Sequence, residues 1–283
     1  MIELGGILCA LITHFTDDGS KIDETRLRDH VERMIAAGVH GLVPGGSTGE
    51  FTALTTDERK QLHELVIKYA DGRVPVVAST GGLTTAENLD LVIHAAKVGT
   101  VALMVVPPFY DPQATRLPIM YYNIPAASGL KLSSEELAGL SQVGVQYIKD
   151  TSGDAPALTD LLFTLQDKVT TFNGWDTLTF YGLAAVAKGS VWGATNFIPE
   201  LSVQLWDAVA VKGDLKTGCE LWSKILPIVK YLDADNYSAS VKTGVELRGY
   251  KTGGPRKPFK LLSEEGRDEL ARLLGKAGVK VAA

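Results

Sequence analysis

Lys149 stands in the run Val145-Gln146-Tyr147-Ile148-Lys149-Asp150-Thr151, which reads as a strand with Val145, Tyr147 and Lys149 on one face. If Ile148 faces covering helices, Lys149 points inward near the end of that strand. Taking an ammonium out of water disfavours its charge, which frees the amine to attack a carbonyl. A lysine paired with Asp150, or one reaching out to solvent, is the non-catalytic alternative. Two other strand ends carry usable chemistry. Gly45-Gly46-Ser47-Thr48-Gly49-Glu50 offers backbone N–H and side-chain O–H groups to an anion. A carboxylate suits it better than a polyphosphate, because no P-loop lysine follows; the alternative is a tight turn with a capping hydroxyl. Tyr121-Tyr122-Asn123-Ile124-Pro125 places a tyrosine where it can pass a proton, or merely pack and satisfy one hydrogen bond.

The runs Asn173-Gly174-Trp175-Asp176 and Trp192-Gly193-Ala194-Thr195-Asn196 are further polar clusters at strand ends. The five histidines are scattered, and no His, Cys or carboxylate set has metal-ligand spacing, so neither a metal nor an organic cofactor is expected.

These groups need a frame that brings strand ends together. Short apolar runs begin at Gly6, Gly41, Val74, Val101, Pro118, Val145, Val169 and Ser190, and amphipathic segments lie between them. The runs are apolar on both faces, as in a parallel sheet covered by helices. Eight βα repeats predict an α/β fold, a closed (β/α)8 TIM barrel over residues 1–212, with its site at the C-terminal ends of the strands. Leu215–Leu232, Tyr237–Arg248 and Ser263–Leu274 have helical periodicity with no strand between them, and predict a C-terminal three-helix extension over 213–283. One repeat is short. Only Asp111–Arg116 separate Tyr110 from Leu117, so the fourth crossover helix is missing. Six residues could cross only as an extended strap, and a true deletion would leave the outer face of that sector bare, a cost that favours a helix belonging between these strands.

At 283 residues, 45% hydrophobic and 22% charged, the composition is that of an ordinary globular chain. A net charge of −5 with no basic cluster speaks against a nucleic-acid partner, and no apolar stretch reaches the ~18 residues of a membrane span. Two cysteines make no disulfide framework, which fits a cytoplasmic protein.

Gly46-Ser47-Thr48-Gly49-Glu50, Tyr122-Asn123-Ile124-Pro125 and Lys149-Asp150-Thr151-Ser152-Gly153, in this order, resemble the dihydrodipicolinate synthase/N-acetylneuraminate lyase superfamily over almost the whole chain. The resemblance implies a homotetramer acting on a small 2-oxo acid. It implies Lys149 as the Schiff-base lysine, Tyr122 as the proton-shuttling tyrosine, and Ser47 and Thr48, beside Gly46, as the carboxylate site. Tyr110, in Pro107-Pro108-Phe109-Tyr110, matches the tyrosine that extends the relay into a neighbouring subunit's site. Thr151, Gly174, Asp176 and Val191 are expected to complete the substrate surface.

Two departures bear on the substrate. Synthases of this superfamily carry an arginine soon after the Tyr-Asn-x-Pro motif, where this chain has Ala126-Ala127-Ser128-Gly129. Sialic acid lyases place a glutamate after the strand-seven aspartate and a serine on strand eight, where this chain has Thr177 and Gly193. The expected activity is a Schiff-base-forming aldolase or dehydratase acting on a pyruvate-type 2-oxo acid or a 2-keto-3-deoxy sugar acid. Dihydrodipicolinate synthase, N-acetylneuraminate lyase and a non-catalytic carboxylate-sensing barrel are the alternatives. A metal-dependent class II aldolase lacks its ligand spacing here.

Overall fold

The computed structural model describes residues 3–82, 84–106, 116–234 and 236–282. The strands are β1 (Gly6–Ala10), β2 (Gly41–Val43), β3 (Val77–Ser79), β4 (Ala102–Val105), β5 (Ile119–Asn123), β6 (Val145–Asp150), β7 (Thr170–Asn173) and β8 (Gly189–Trp192). All pair in parallel, in the order β2-β1-β8-β7-β6-β5-β4-β3. A parallel bridge between Leu42 and Val76 spans the remaining gap, supported by the Leu42 N–H donating to the Pro75 carbonyl at 3.0 Å and the Ser79 N–H to the Pro44 carbonyl at 3.1 Å. The sheet thus returns on itself as the expected TIM barrel.

Helices follow the strands: α1 (Glu24–Ala36), α2 (Thr56–Ala70), α3 (Thr85–Val98), α4 (Pro125–Ser128), α5 (Ser134–Gly139), α6 (Ala155–Thr159), α7 (Thr179–Ala184) and α8 (Pro199–Trp206). Their starts follow local chemistry. Asp23 caps α1 by accepting from the Arg26 N–H, while Thr55 with Glu58 and Ser133 with Glu136 form capping boxes on α2 and α5.

Alternation sorts the apolar residues into an inside and an outside. Leu8, Ala10, Val43, Val77, Ala102, Met104, Met120, Tyr122, Tyr147, Phe172 and Val191 fill the barrel. Cys9, Leu42, Ala78, Leu103, Tyr121 and Ile148 pack outward against helices. Val145 departs from the expected face. The register shifts between Ile119 and Met120, so that Ile119 pairs with Val145 and Met120 with Tyr147. Gln146 becomes the exposed extra residue, and Val145 joins the outer cluster.

The expected loss of the fourth crossover helix and the position of Tyr110 fall within 107–115, outside the described residues. The bare outer face that a true deletion would leave is not found: Leu103, Val105, Ile119 and Tyr121 are all buried. They pack with Val92 and Ala95 of α3 and with Leu137 and Ala138 of α5.

After β8 come α9 (Leu215–Ala234), α10 (Tyr237–Leu247) and α11 (Glu264–Lys276), the expected C-terminal helices. Ile225, Ile228, Val229, Val241, Val245, Leu270 and Leu274 build a second core with Trp192, Phe197 and Ile198 of the barrel. Lys242 of α10 and Glu50 of the turn after β2 form an ion pair at 2.5 Å, each about 1% exposed. Among the described residues, no helix is long and apolar enough to cross a membrane.

Candidate active site

A cavity of about 280 Å³ opens at the C-terminal ends of the strands. Ser47, Thr48, Tyr122, Lys149, Thr151, Gly174, Asp176 and Val191, eight of the residues expected from sequence, line it together. Gly46 does not. It is buried at the back of the turn, where its carbonyl accepts from the Gly49 and Phe51 N–H groups and its Cα faces Met104 and Ser79.

Strand period decides the state of Lys149. Asp150, its neighbour in sequence, lies on the other face, where it accepts from Asn123 Nδ2 at 2.7 Å and Ser152 Oγ at 3.0 Å. Those bonds occupy the carboxylate expected in the non-catalytic alternative. The lysine is 6% exposed, so it does not reach out to solvent either. Tyr122 pairs with Lys149 across β5 and β6, and the ammonium lies 3.8 Å from the centroid of its ring. Among the described residues, no carboxylate lies within ion-pairing distance of the Lys149 nitrogen.

Gly174, at the end of β7, makes room for this arrangement. A Cβ there would come within 2.8 Å of both Cγ and Cε of Lys149 and would strike the Thr151 hydroxyl. That hydroxyl is buried at the pocket wall with no partner among the described residues, leaving it to a ligand. Ser47 stands exposed at the mouth and Thr48 is buried beneath it.

The far wall comes from β7, β8 and α10. Asp176 is 5% exposed and accepts from the Tyr237 hydroxyl, 2.8 Å to Oδ2 and 3.0 Å to Oδ1. Burial, followed by repulsion from Asp233, pushes the Asp176 carboxyl up to about 7, against the pull of Tyr237, Trp192 and the Lys149 charge. The Tyr237 phenol is driven far above its ordinary value by burial and by the Asp176 carboxylate.

Other polar strand ends turn away from the cavity. Asn173 donates to the Trp175 carbonyl at 2.9 Å and to Thr179 Oγ1 at 3.0 Å, fixing the loop that carries Gly174 and Asp176. Asn196 donates to the carbonyls of Ala10 and Gly193, both at 2.7 Å, and contacts His30 Nε2 through its own carbonyl oxygen at 2.8 Å. Thr195 bonds Ser202 at 3.2 Å. Sequence reasoning missed Leu232, Asp233, Tyr237 and Ser238, which reach the pocket from α9 and α10. The only local signal near them is the Asn236 N-cap that starts α10.

The sequence profile of the dihydrodipicolinate synthetase family matches residues 3–277. The chain is 35% identical to the 4-hydroxy-tetrahydrodipicolinate synthase of Methanopyrus kandleri, over 98% of this chain and 97% of that one. It is 34% identical to the enzyme of the same name from Thermomicrobium roseum, over 96% and 94%. Among solved structures it resembles YagE, a prophage protein of the dihydrodipicolinic acid synthase family from E. coli K12 in complex with pyruvate, at 28% identity and a TM-score of 0.91, covering 98% of this chain and 100% of that one. Dihydrodipicolinate synthase DapA-2 of Bacillus anthracis is similar at 31% identity and a TM-score of 0.90, over 97% and 99%. With likeness running from end to end, and not only through the three motifs, the chain belongs to the dihydrodipicolinate synthetase family, whose members are lyases that work through a lysine Schiff base.

Proposed function

We propose that Lys149 is the Schiff-base lysine of an aldolase or dehydratase acting on a short 2-keto-3-deoxy acid, with pyruvate or a pyruvate-like fragment held at its carbonyl. One observation carries the reading. The Lys149 amine is buried at a strand end without an ion-pair partner among the described residues, beside a tyrosine and facing a cavity.

In this reading the Lys149 nitrogen bonds to the ketone carbon and loses a proton, while the carbonyl oxygen gains one to become a carbinolamine hydroxyl. A second proton delivered to that hydroxyl lets it leave as water. The resulting protonated imine accepts the electron pair of the breaking C–C bond and becomes an enamine, while the tail hydroxyl loses its proton and the tail leaves as an aldehyde. Tyr122 is the acid–base group for both transfers. Ser47 and Thr48 hold the carboxylate, and Thr151 supplies a further hydroxyl. Gly174 provides clearance, while Val191 and Asp176 face the rest of the substrate. Assembly as a homotetramer, with Tyr110 reaching a neighbouring site, rests on the family resemblance, and a cytoplasmic location on the two cysteines that make no disulfide framework.

A short acid fits the chain better than the second substrate of a synthase because α4 reads Pro125-Ala126-Ala127-Ser128, with no arginine to grip a second carboxylate. The synthase reading is favoured by the relatives named 4-hydroxy-tetrahydrodipicolinate synthase. Borohydride reduction with pyruvate, followed by peptide mapping, tests the core claim: the adduct belongs on Lys149, and a well-folded protein modified elsewhere or nowhere refutes it. Incubation with pyruvate and aspartate semialdehyde separates the two readings, since robust condensation restores the synthase.

A further inference from the structure

Gly193 and Tyr237 come from elements far apart in sequence, β8 and α10, yet they share one piece of space. A Cβ on Gly193 would lie 2.8 Å from Cε1 and 3.0 Å from Cζ of the Tyr237 ring, so the aromatic side chain sits where any residue other than glycine would project. The ring is fixed at both ends. Asn236 caps the helix that Tyr237 begins, and the hydroxyl is bonded to both oxygens of Asp176. Next to it, Ser238 Oγ donates to the Ser47 carbonyl at 3.2 Å, which ties the same turn of α10 to the rim across the pocket. The cavity left is about 280 Å³, below the range of roughly 300–1,000 Å³ typical of pockets for drug-sized ligands.

A wall built this way selects. The tail of a 2-oxo acid extending from Lys149 meets a phenol ring that a mere rotamer change cannot clear, because the hydroxyl is held and the ring backs onto β8. The wall also has a polar centre. Asp176 lines the cavity, and the single proton of Tyr237 cannot saturate both carboxylate oxygens, so lone pairs remain to accept from a substrate hydroxyl.

Resting on the Schiff-base reading above, we infer that Tyr237 is a specificity-determining residue: it limits the substrate to a short tail and, with Asp176, requires a hydroxyl on that tail. The aldehydes taken up in the condensing direction, or released in the cleaving one, are therefore short hydroxyaldehydes.

The test uses the intact protein with pyruvate and two pairs of aldehydes. Glyceraldehyde against erythrose reads length; glycolaldehyde against acetaldehyde reads the hydroxyl. Wild type is expected to favour glyceraldehyde and glycolaldehyde by ~10-fold or more in kcat/KM, the scale of a small group accommodated or refused by a pocket. Tyr237→Ala should erase most of the length preference. Tyr237→Phe, which keeps the ring, should retain that preference; Asp176→Ala, which removes the acceptor, should lose most of the hydroxyl preference; and Tyr237→Leu reads length should the alanine variant fail to fold. The inference is overturned if either ratio stays at its wild-type value in the variant meant to change it. It is equally overturned if Tyr237→Ala loses the borohydride adduct with pyruvate, for then the tyrosine supports the reacting end and not the tail. Absence of that adduct in wild type defeats the Schiff-base reading itself, a result the aldehyde ratios cannot mimic.

Discussion

Tyr122 and Lys149 are direct cross-strand partners, and the ammonium rests 3.8 Å from the centre of the phenol ring. The ring lies against the amine and the hydroxyl is the group proposed to move protons, so one substitution can part packing from that proposed role. Tyr122→Phe retains the ring and is expected to lower kcat by ~100-fold or more while KM for the 2-oxo acid changes little. Steady-state kinetics decide it: a rate near wild type would leave Tyr122 as packing only.

Lys149→Ala should abolish turnover without loss of fold. The side chain is buried, yet its removal breaks no ion pair among the described residues, and Asp150 stays bonded to Asn123 and Ser152. Thermal melting should therefore give a Tm no lower than wild type by more than a few degrees, about the effect of 1 kcal/mol in a chain of this size. A collapse in Tm would show the ammonium to be part of the structural framework.

Gly174→Ala makes a sharper prediction than its small size suggests. The new methyl would press on the Lys149 side chain and the Thr151 hydroxyl at once. A misplacement of about 1 Å at a reacting group costs on the order of 100-fold in rate. The expected result is a kcat/KM reduced by that order, with weak borohydride trapping, and wild-type trapping would show that the lysine has room to spare.

Asp176 links the pocket to pH. Its folded-state proton affinity is raised to about 7, above that of an unfolded carboxylate. Its contribution to stability is thus fully present below the ordinary carboxylate value and is lost as pH rises through about 7. Asp176→Asn keeps an acceptor for Tyr237 and removes the repulsion with Asp233. The Tm of this variant should move up relative to wild type between pH 5 and pH 8, by ~5 °C at the upper end. A difference that is flat across this range would remove Asp176 as the titrating group.

The pair Glu50–Lys242 is the most deeply buried ion pair among the described residues. Burial disfavours the Lys242 charge, and Glu50 opposes that effect. Removing one partner leaves the other charge stranded, so Glu50→Leu or Lys242→Met should each cost ~3–5 kcal/mol in denaturant unfolding. The double variant should recover most of that loss; additive losses would refute the coupling.

The barrel and the inward-facing lysine were legible because both obey short-range periodicity. A strand end with Lys149 facing inward follows from alternation. Alternation failed at Val145, because a bulge depends on the partner strand and leaves no mark in its own residues. Asn173, Thr195 and Asn196 have the same polar character as the pocket residues, and only three-dimensional packing shows that they brace loops instead. Tyr237 was illegible for a related reason. Its importance lies in the empty position at Gly193, and nothing local connects a glycine on β8 to the first residue of α10.

The Glu50–Lys242 contact has a further consequence for exchange of parts between relatives. The turn after β2 that carries Glu50 lies in the first quarter of the chain and α10 in the last, so a crossover anywhere between them separates two residues that are sound only together. A chimera that inherits Glu50 from one parent and a non-basic residue at 242 from the other carries a stranded carboxylate in the same turn as Ser47 and Thr48. Loop grafts onto this barrel will succeed when the two positions travel as one inherited unit, however distant they are along the gene.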